Sequence, residues 1–310
     1  MGRLVKHIGL LLHPCVFLHK LCGVMLDFFA PLICDELFLK LKWKRIMGCP
    51  LNLKQPKTYN EKLQWLKLYD RRPEYTIMVD KYAAKSYVSS IIGNEHIIPT
   101  IGVWEKVEDI DFDSLPNQFV LKCTHDSGGV VICKDKSVFN RDNAIDVLRK
   151  GLKTNFYYQN REWPYKNVKP KIIAEEYLED TNTKELRDYK FFCFDGVVKA
   201  LFIATDRQSE EKETTFDFYD ASFNHLDIRN GHPNAVCPPT KPNTFEEMKL
   251  IAEKLSKHIP HLRVDLYEVN GQVFFGELTF FHWSGMVPFE PKEWDLIFGE
   301  WIELPLKTSL

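Results

Sequence analysis

Four side chains in the C-terminal third have the types and spacing to do chemistry together: Arg263, Asp265, Glu277 and Thr279. They lie in RVDLYEVNGQVFFGELT, which reads as two alternating runs around Asn270-Gly271. Val264, Leu266, Phe274 and Leu278 hold even positions and need a core, while both acids hold odd ones. For both even sets to reach one core, the hairpin loop must contain an odd number of residues. A three-residue loop, Val269-Asn270-Gly271, with Gly271 left-handed, meets that condition. Arg263, Asp265, Glu277 and Thr279 then share one polar face. Like charges facing each other across strands repel, so this face is either a solvated surface or a cation site. Magnesium suits the second reading, because it takes oxygen ligands, usually one or two carboxylates plus phosphates.

A phosphate ligand would need local positive charge. The stretch FVLKCTHDSGGVVI sets Lys122 near a strand end, followed by a glycine loop and a second strand. It is not a Walker loop, since G-x-x-x-x-G-K-[ST] is absent and no helix follows. Gly128 and Gly129 nevertheless let backbone N–H groups approach a phosphate, with Lys122 as a point charge and Asp126 as a negative neighbour. A plain hairpin is the competing reading. KIIAEEYLED reads as a buried strand running into acids. Such a strand can present its backbone to adenine, with Glu175 near the amine or ribose; Glu175 is otherwise a sheet-edge charge.

These groups need a scaffold, and 310 residues can bury one large core or two to three smaller ones. A net charge of -2 argues against bulk nucleic-acid binding. The 8 cysteines form no C-x-x-C pair and several sit in apolar strand-like runs, as expected of a reducing cytosol. Residues 8–34 are apolar but interrupted by His13, Pro14, His19, Lys20 and Asp27. They read as a helix docked on the protein's own core, ahead of a membrane-surface helix or a span. Leu37 to Met47 is basic and amphipathic. Thr58 and Glu61 have capping-box spacing, and so do Thr244 and Glu247. Helices are expected at Asp80–Ser89 and Arg141–Tyr157, and a hairpin around Asp195-Gly196. Strands and helices mix without regular βαβ alternation, which makes the class α+β.

The ordered pieces resemble the ATP-grasp superfamily, and within it the TupA-like branch linked to teichuronopeptide and other surface-polysaccharide biosynthesis. The stretches that carry the likeness are LNLKQPKTYNEKLQWLKLYD, VDKYAAKSYV, IIPTIGVW, LPNQFVLKCTHDSGG, DYKFFCFDG, RVDLYEVNGQVFFGELTF and EPKEWDLIFGEW, spread over residues 37–305. The resemblance implies an α+β ATP-grasp fold, two subdomains clasping ATP, behind a helical N-terminal extension. It divides the chain into an extension at 1–57, a helical and linker part at 58–117, a glycine-loop lid at 118–179 and a metal-bearing subdomain at 180–310. It implies that Lys81 and Lys122 contact phosphates capped by Gly128 and Gly129. Glu175, Glu176, Tyr177 and Leu178 would form the adenine hinge, Asp188 would meet the ribose, and Lys190 would add a phosphate contact. Asp265, Glu277 and Thr279 would hold Mg2+, and Arg263, with Lys122, would face the transferred phosphoryl group.

Two departures from the family pattern bear on the site. Thr279 stands where many relatives have Asn. FFHWSG replaces a Pro-Gly turn, so His282 and Ser284 are either substrate contacts or loop polar groups. The implied activity is an ATP- and magnesium-dependent carboxylate–amine ligase with an acyl-phosphate intermediate. Its substrate would be a small molecule or glycan precursor, such as a uronic acid joined to an amino acid. The alternatives are a glycan phosphotransferase or glycosyltransferase-type enzyme, for which Asp111-Phe112-Asp113 supplies a D-x-D, and a nucleotide- or glycan-binding scaffold. The implied setting is the cytoplasm, with a peripheral contact to the inner face of the membrane through the N-terminal segment and no nucleic-acid partner.

Overall fold

The computed structural model describes residues 14–126, 128–181, 186–207 and 212–307. The chain begins with helices α1 (Pro14–Phe28), α2 (Asp35–Met47), α3 (Tyr59–Tyr69), α4 (Glu74–Val79) and α5 (Ala83–Ile92). Strands β1 (Thr100–Trp104), β2 (Phe119–Cys123) and β3 (Val130–Cys133) follow, then α6 (Arg141–Leu152) and α7 (Tyr157–Asn160). Next come β4 (Ile172–Glu176), β5 (Asp188–Phe194), β6 (Val197–Thr205), β7 (Thr215–Asp220) and β8 (His225–Leu226). Helix α8 (Phe245–Leu255), strands β9 (Leu262–Val269) and β10 (Gln272–Thr279), and helix α9 (Glu293–Glu300) complete it.

Two antiparallel sheets organise these elements. The smaller runs β1-β4-β2-β3 and has its own core of Val107, Phe112, Phe119, Leu121, Leu148 and Ile172. This unit begins at β1, not at residue 118, because Trp104 pairs with Ile172 and the 107–115 segment fills its core. The larger sheet runs β10-β9-β5-β6-β7-β8. Helix α8 covers one face, where the Cys193 thiol reaches the Ala252 carbonyl at 3.7 Å. Helix α3 covers the other: Tyr59 sets its ring edge-on to Phe192 and shares a 2.9 Å hydrogen bond with His261. The N-terminal extension joins this larger core through Ala30, Phe38, Leu39 and Trp43.

Local sequence explains several boundaries. Thr58 accepts from the Glu61 amide at 3.2 Å and Glu61 accepts from the Thr58 amide, so the expected capping box starts α3. The matching expectation at Thr244 fails, since α8 starts there without a side-chain cap. Helix α6 is shorter than expected and ends at Leu152.

The hairpin of β9 and β10 corrects the three-residue loop. Val269 pairs with Gln272, so the turn is Asn270-Gly271, with φ of 52° and 80° as a two-residue type I′ turn requires. The odd residue is Gly276. Phe275 pairs with Leu266 and Glu277 with Asp265, leaving Gly276 as a β-bulge. The parity argument therefore holds, but the extra residue sits in the strand. A Cβ on Gly276 would lie 2.9 Å from the Asp265 carbonyl oxygen and 3.0 Å from the Tyr267 ring. Gly276→Ala is therefore expected to destabilise the chain by about 1–3 kcal/mol, read as a lower denaturant midpoint. An unchanged midpoint would show that the bulge tolerates a side chain.

Candidate active site

The bulge brings three side chains into one row across three strands. Lys190 on β5 is opposite Asp265 on β9, and Asp265 is opposite Glu277 on β10. Asp265 is fully buried. Arg263 grips it bidentately, Nε to Oδ1 at 2.7 Å and Nη2 to Oδ2 at 2.7 Å. Lys190 donates to Oδ2 as well. Burial alone would raise the Asp265 carboxyl, but Arg263 and Lys190 outweigh it and hold it below the usual aspartate range. Burial, opposed by Asp265, leaves Lys190 below the usual lysine range, and its carboxylate partners are Asp265 and, at 3.5 Å, Asp188.

Arg263 spreads this cluster outward. Its Nη2 donates to Thr279 Oγ1 at 3.0 Å and approaches Glu277 Oε1 at 3.5 Å. Its Nη1 bonds His282 Nδ1 at 2.7 Å. Burial and the adjacent guanidinium push His282 well below its ordinary range, so the ring is neutral. Nδ1 accepts from Arg263 in that tautomer, and Nε2 donates to Asn230 Oδ1 at 2.9 Å. On the other side Arg207 pairs with Asp188, which neighbours Lys190. A continuous ion-pair chain thus links Arg207, Asp188, Lys190, Asp265 and Arg263.

Arg207 also lines a cavity of about 800 Å³ between the two sheets. The small sheet contributes Val120, Lys122, Ile132 and Lys134, the glycine loop contributes Gly128, and the large sheet contributes Thr205 and Tyr267. Glu175, Glu176, Tyr177 and Leu178 close one side. The Glu175 carboxylate is buried and bridges two lysines, Lys122 and, at 2.5 Å, Lys85. Burial would raise this carboxyl, but Lys122 and Lys85 prevail and keep it below its ordinary value. Glu175 is therefore an internal counter-ion for the lysines, and Glu176, Tyr177 and Leu178 are the residues beyond it that reach the cavity. Tyr267 pairs across the sheet with Asp188 and lines the cavity.

Several expected site residues have other roles here. Lys81 donates to the Asp126 carbonyl and anchors the glycine loop. Gly129 and Gly151 both lie over Asp126, where an added Cβ would come within 2.7 Å and 3.1 Å of Oδ2 respectively. Asp126 is thus buried under the loop rather than beside the cavity, and burial raises its carboxyl. Asp188 is buried in its ion pairs and does not line the cavity, so the structure does not offer it to a ribose. Lys190 belongs to Asp265. Of the two readings of His282 and Ser284, their placement fits loop polar groups: both are buried, His282 on Arg263 and Asn230, Ser284 on Glu162.

Sequence reasoning missed Lys85, Arg207, Tyr267 and the buried Lys67 and Glu162, which both bond Ser284. Lys85 had a signal, one helical turn from Lys81 in VDKYAAKSYV. Lys67 had none: it donates to Gln64, to the Asn160 carbonyl at 3.0 Å and to the Ser284 carbonyl at 2.7 Å, partners that only the fold assembles. These bonds hold the 282–285 turn, in which Trp283 and Ser284 are both left-handed with φ of 48° and 55°.

Among the described residues no three His, Cys, Asp or Glu side chains converge as a self-sufficient metal site. A nucleotide-borne magnesium needs only one or two carboxylates. Glu277, 37% exposed and held only loosely by Arg263, fits that need; Asp265 could share it only by releasing an oxygen from Arg263 or Lys190. The two acids should therefore differ in stability assays. Asp265→Asn leaves two buried cations uncompensated and should cost about 3–5 kcal/mol, whereas Glu277→Gln should cost less than about 1 kcal/mol. Because the folded state holds Asp265 low, its stabilisation is present above the unfolded aspartate pKa of about 4 and is lost as pH falls through the lower folded value. Asp265→Asn should remove that acid limb from a pH–stability profile. An intact limb would place the acid sensitivity elsewhere.

No curated protein is a significant match to the chain. Among solved structures it is similar to D-alanine–D-alanine ligase from Bacillus anthracis complexed with ATP, at 17% identity over 66% of this chain and 53% of that one, TM-score 0.38. It is also similar to VanG D-Ala:D-Ser ligase from Enterococcus faecalis, at 12% identity over 66% and 52%, TM-score 0.40. A third similar structure is the ATP-grasp ligase PsnB with a phosphomimetic variant of its minimal precursor, Mg and ADP, at 9% identity over 67% and 52%, TM-score 0.40. The chain spans about half the length of these three proteins. The family description that matches is TupA-like ATP-grasp, over residues 61–303, which takes in both sheets and every side chain of the two charge clusters. The chain belongs to the TupA-like ATP-grasp family.

Proposed function

We propose that the protein is an ATP- and magnesium-dependent carboxylate–amine ligase. The observation that carries this reading is one continuous arrangement within a chain of this family: a cavity between two sheets, with Lys122 and Gly128 on one wall, and an ion-pair chain running from the opposite wall to Arg263. ATP fills the cavity, its base against Glu176, Tyr177 and Leu178 and its phosphates near Lys122 and Arg207. When bound, magnesium would be held by Glu277, with Thr279 as a further oxygen and Asp265 only if it released a bond to Arg263 or Lys190, and it would neutralise charge at the γ-phosphate.

The chain's own residues then do electrostatic work. Arg263, rigidly aimed by Asp265 and His282, faces the charge that develops as the γ-phosphoryl moves to a substrate carboxylate. The carboxylate becomes an acyl phosphate, and attack by an amine releases phosphate and forms an amide. Little covalent chemistry is asked of the protein, which suits a site without an activated nucleophile. The substrate we assign is a surface-polysaccharide precursor carrying a uronic acid, joined to an amino acid or amine; the family's link to such polysaccharides supports it. A glycosyltransferase reading through Asp111 and Asp113 has less support. Asp113 is committed to Arg141 on the surface, and neither acid lines the cavity.

An ADP-release assay with magnesium, pairing uronic-acid sugars with amino acids, tests the reaction. ADP release should require a carboxylate and be sustained at full rate only when an amine is also supplied, with an amide as the product; no ADP with any pairing, or ADP without amide when both are supplied, would overturn the ligase reading. Glu277→Gln should abolish turnover without unfolding the chain. Lys122→Met should weaken ATP binding about tenfold, measured by titration calorimetry, because Lys85 still neutralises Glu175. Unchanged affinity would remove Lys122 from the phosphate site.

A further inference from the structure

Helices α1 and α2 form a hairpin whose outward face is apolar. Leu21, Val24, Met25 and Phe28 follow the i, i+3, i+4, i+7 spacing of one helical stripe, and all are exposed. Phe29 and Leu32 extend the stripe into the turn. Val24 is 67% exposed, Phe28 76% and Leu32 82%. On α2, Leu37 and Leu41 alternate with Lys40 and Lys44 along one exposed face, while Phe38, Leu39 and Trp43 point into the core. The stripe is therefore surplus to the hairpin's own packing.

The hairpin is also held rigidly, so the stripe cannot simply fold back. Arg161 is buried at its turn, donating to the carbonyls of Ala30 at 2.5 Å and Ile33 at 3.0 Å and pairing with Asp35 at 3.0 Å. Lys42 ties α2 to Asp27 on α1 at 3.1 Å. These bonds also settle the local charge. Asp27, Asp35 and Glu36 are each neutralised within the molecule, by Lys42, by Arg71 and Arg161, and by Lys40. The first 47 residues carry 7 basic and 3 acidic side chains, although the whole chain has a net charge of -2. With these acids and their partner lysines paired, the exposed Lys44 beside Leu37 and Leu41 leaves the apolar face a basic margin, which is complementary to an anionic surface. A second copy would instead bring the same positive face, which repels. Among the described residues no helix is long and apolar enough to cross a membrane.

We propose that this face docks on an anionic lipid bilayer, with α1 lying in the headgroup plane and Val24, Phe28 and Leu32 entering the acyl boundary. The proposal does not depend on the reaction catalysed. The test is flotation of the full chain with phosphatidylcholine vesicles and with phosphatidylcholine/phosphatidylglycerol vesicles. The chain should float with the anionic vesicles, several-fold less with neutral ones and several-fold less at high salt. The combined variant Val24→Ser, Phe28→Ser, Leu32→Ser should lower partitioning about tenfold or more. It should keep the parent's melting temperature, since all three side chains are already exposed. No flotation, equal flotation on both vesicle types, or equal flotation of the variant would overturn the proposal. So would a dimer that the variant dissolves in a chain that does not bind vesicles, because the occupant would then be a second copy.

Discussion

The Asp265 carboxylate sits where no water reaches it, and a buried charge of that kind must be paired or the fold must change. Arg263 and Lys190 pair it from two directions. Lys190 does so because β5 lies beside β9, and Arg263 because it stands two residues away on the same face of β9; the Gly276 bulge in β10 then brings Glu277 opposite Asp265. The rest of the site follows from this one commitment. With its Nε and Nη2 spent on Asp265, Arg263 has a fixed plane, and its remaining donor reaches His282. Through His282 and Ser284 the loop after β10 is tied to Asn230 and Glu162, and α3 closes over it through Gln64 and Lys67. A guanidinium aimed in advance can stabilise developing charge without reorganising.

The second charge cluster does a different job. Glu175, next to the last residue of β4, lines the edge of the cavity and holds Lys122 from β2 together with Lys85 from α5. It joins the small sheet to the helical part that precedes it and keeps Lys122 extended near the cavity. Each cluster thus stores its positive charge against an internal acid. A phosphate entering the cavity competes with Glu175 for Lys122 rather than meeting a free ammonium. That arrangement lets the chain concentrate cations around an anionic ligand while its net charge stays close to neutral.

What could be read in the sequence was what depends on neighbours along the chain. The Thr58–Glu61 box, the Asn270-Gly271 and Asp195-Gly196 turns and the face shared by Asp265 and Glu277 all follow from local spacing. The parity argument was sound, but parity does not distinguish an extra loop residue from a bulge. Gly276, a strand glycine beside Glu277, was the available clue. Thr244 matched the same capping pattern as Thr58 and formed no cap. The family resemblance points Asp188 and Lys190 toward ligand, while the fold pairs them with Arg207 and Asp265; Ser284, open in the sequence between substrate contact and loop polar group, bonds Glu162. Lys67 and Glu162 are far from Ser284 in sequence, and only tertiary packing brings them to it. The outward stripe on α1 was legible as apolar; its rigid exposure depends on Arg161, far away in sequence.

The central claim is that Glu277, at the open side of the buried Asp265 cluster, receives the metal of a nucleotide held between the two sheets. The most direct measurement is a crystal structure with manganese and a non-hydrolysable ATP analogue, using anomalous scattering to mark the metal. The expected result is a metal peak in oxygen-ligand contact with Glu277 and a base lying against Glu176, Tyr177 and Leu178. A nucleotide bound outside this cavity, or a metal that touches neither Glu277 nor Asp265, would contradict it.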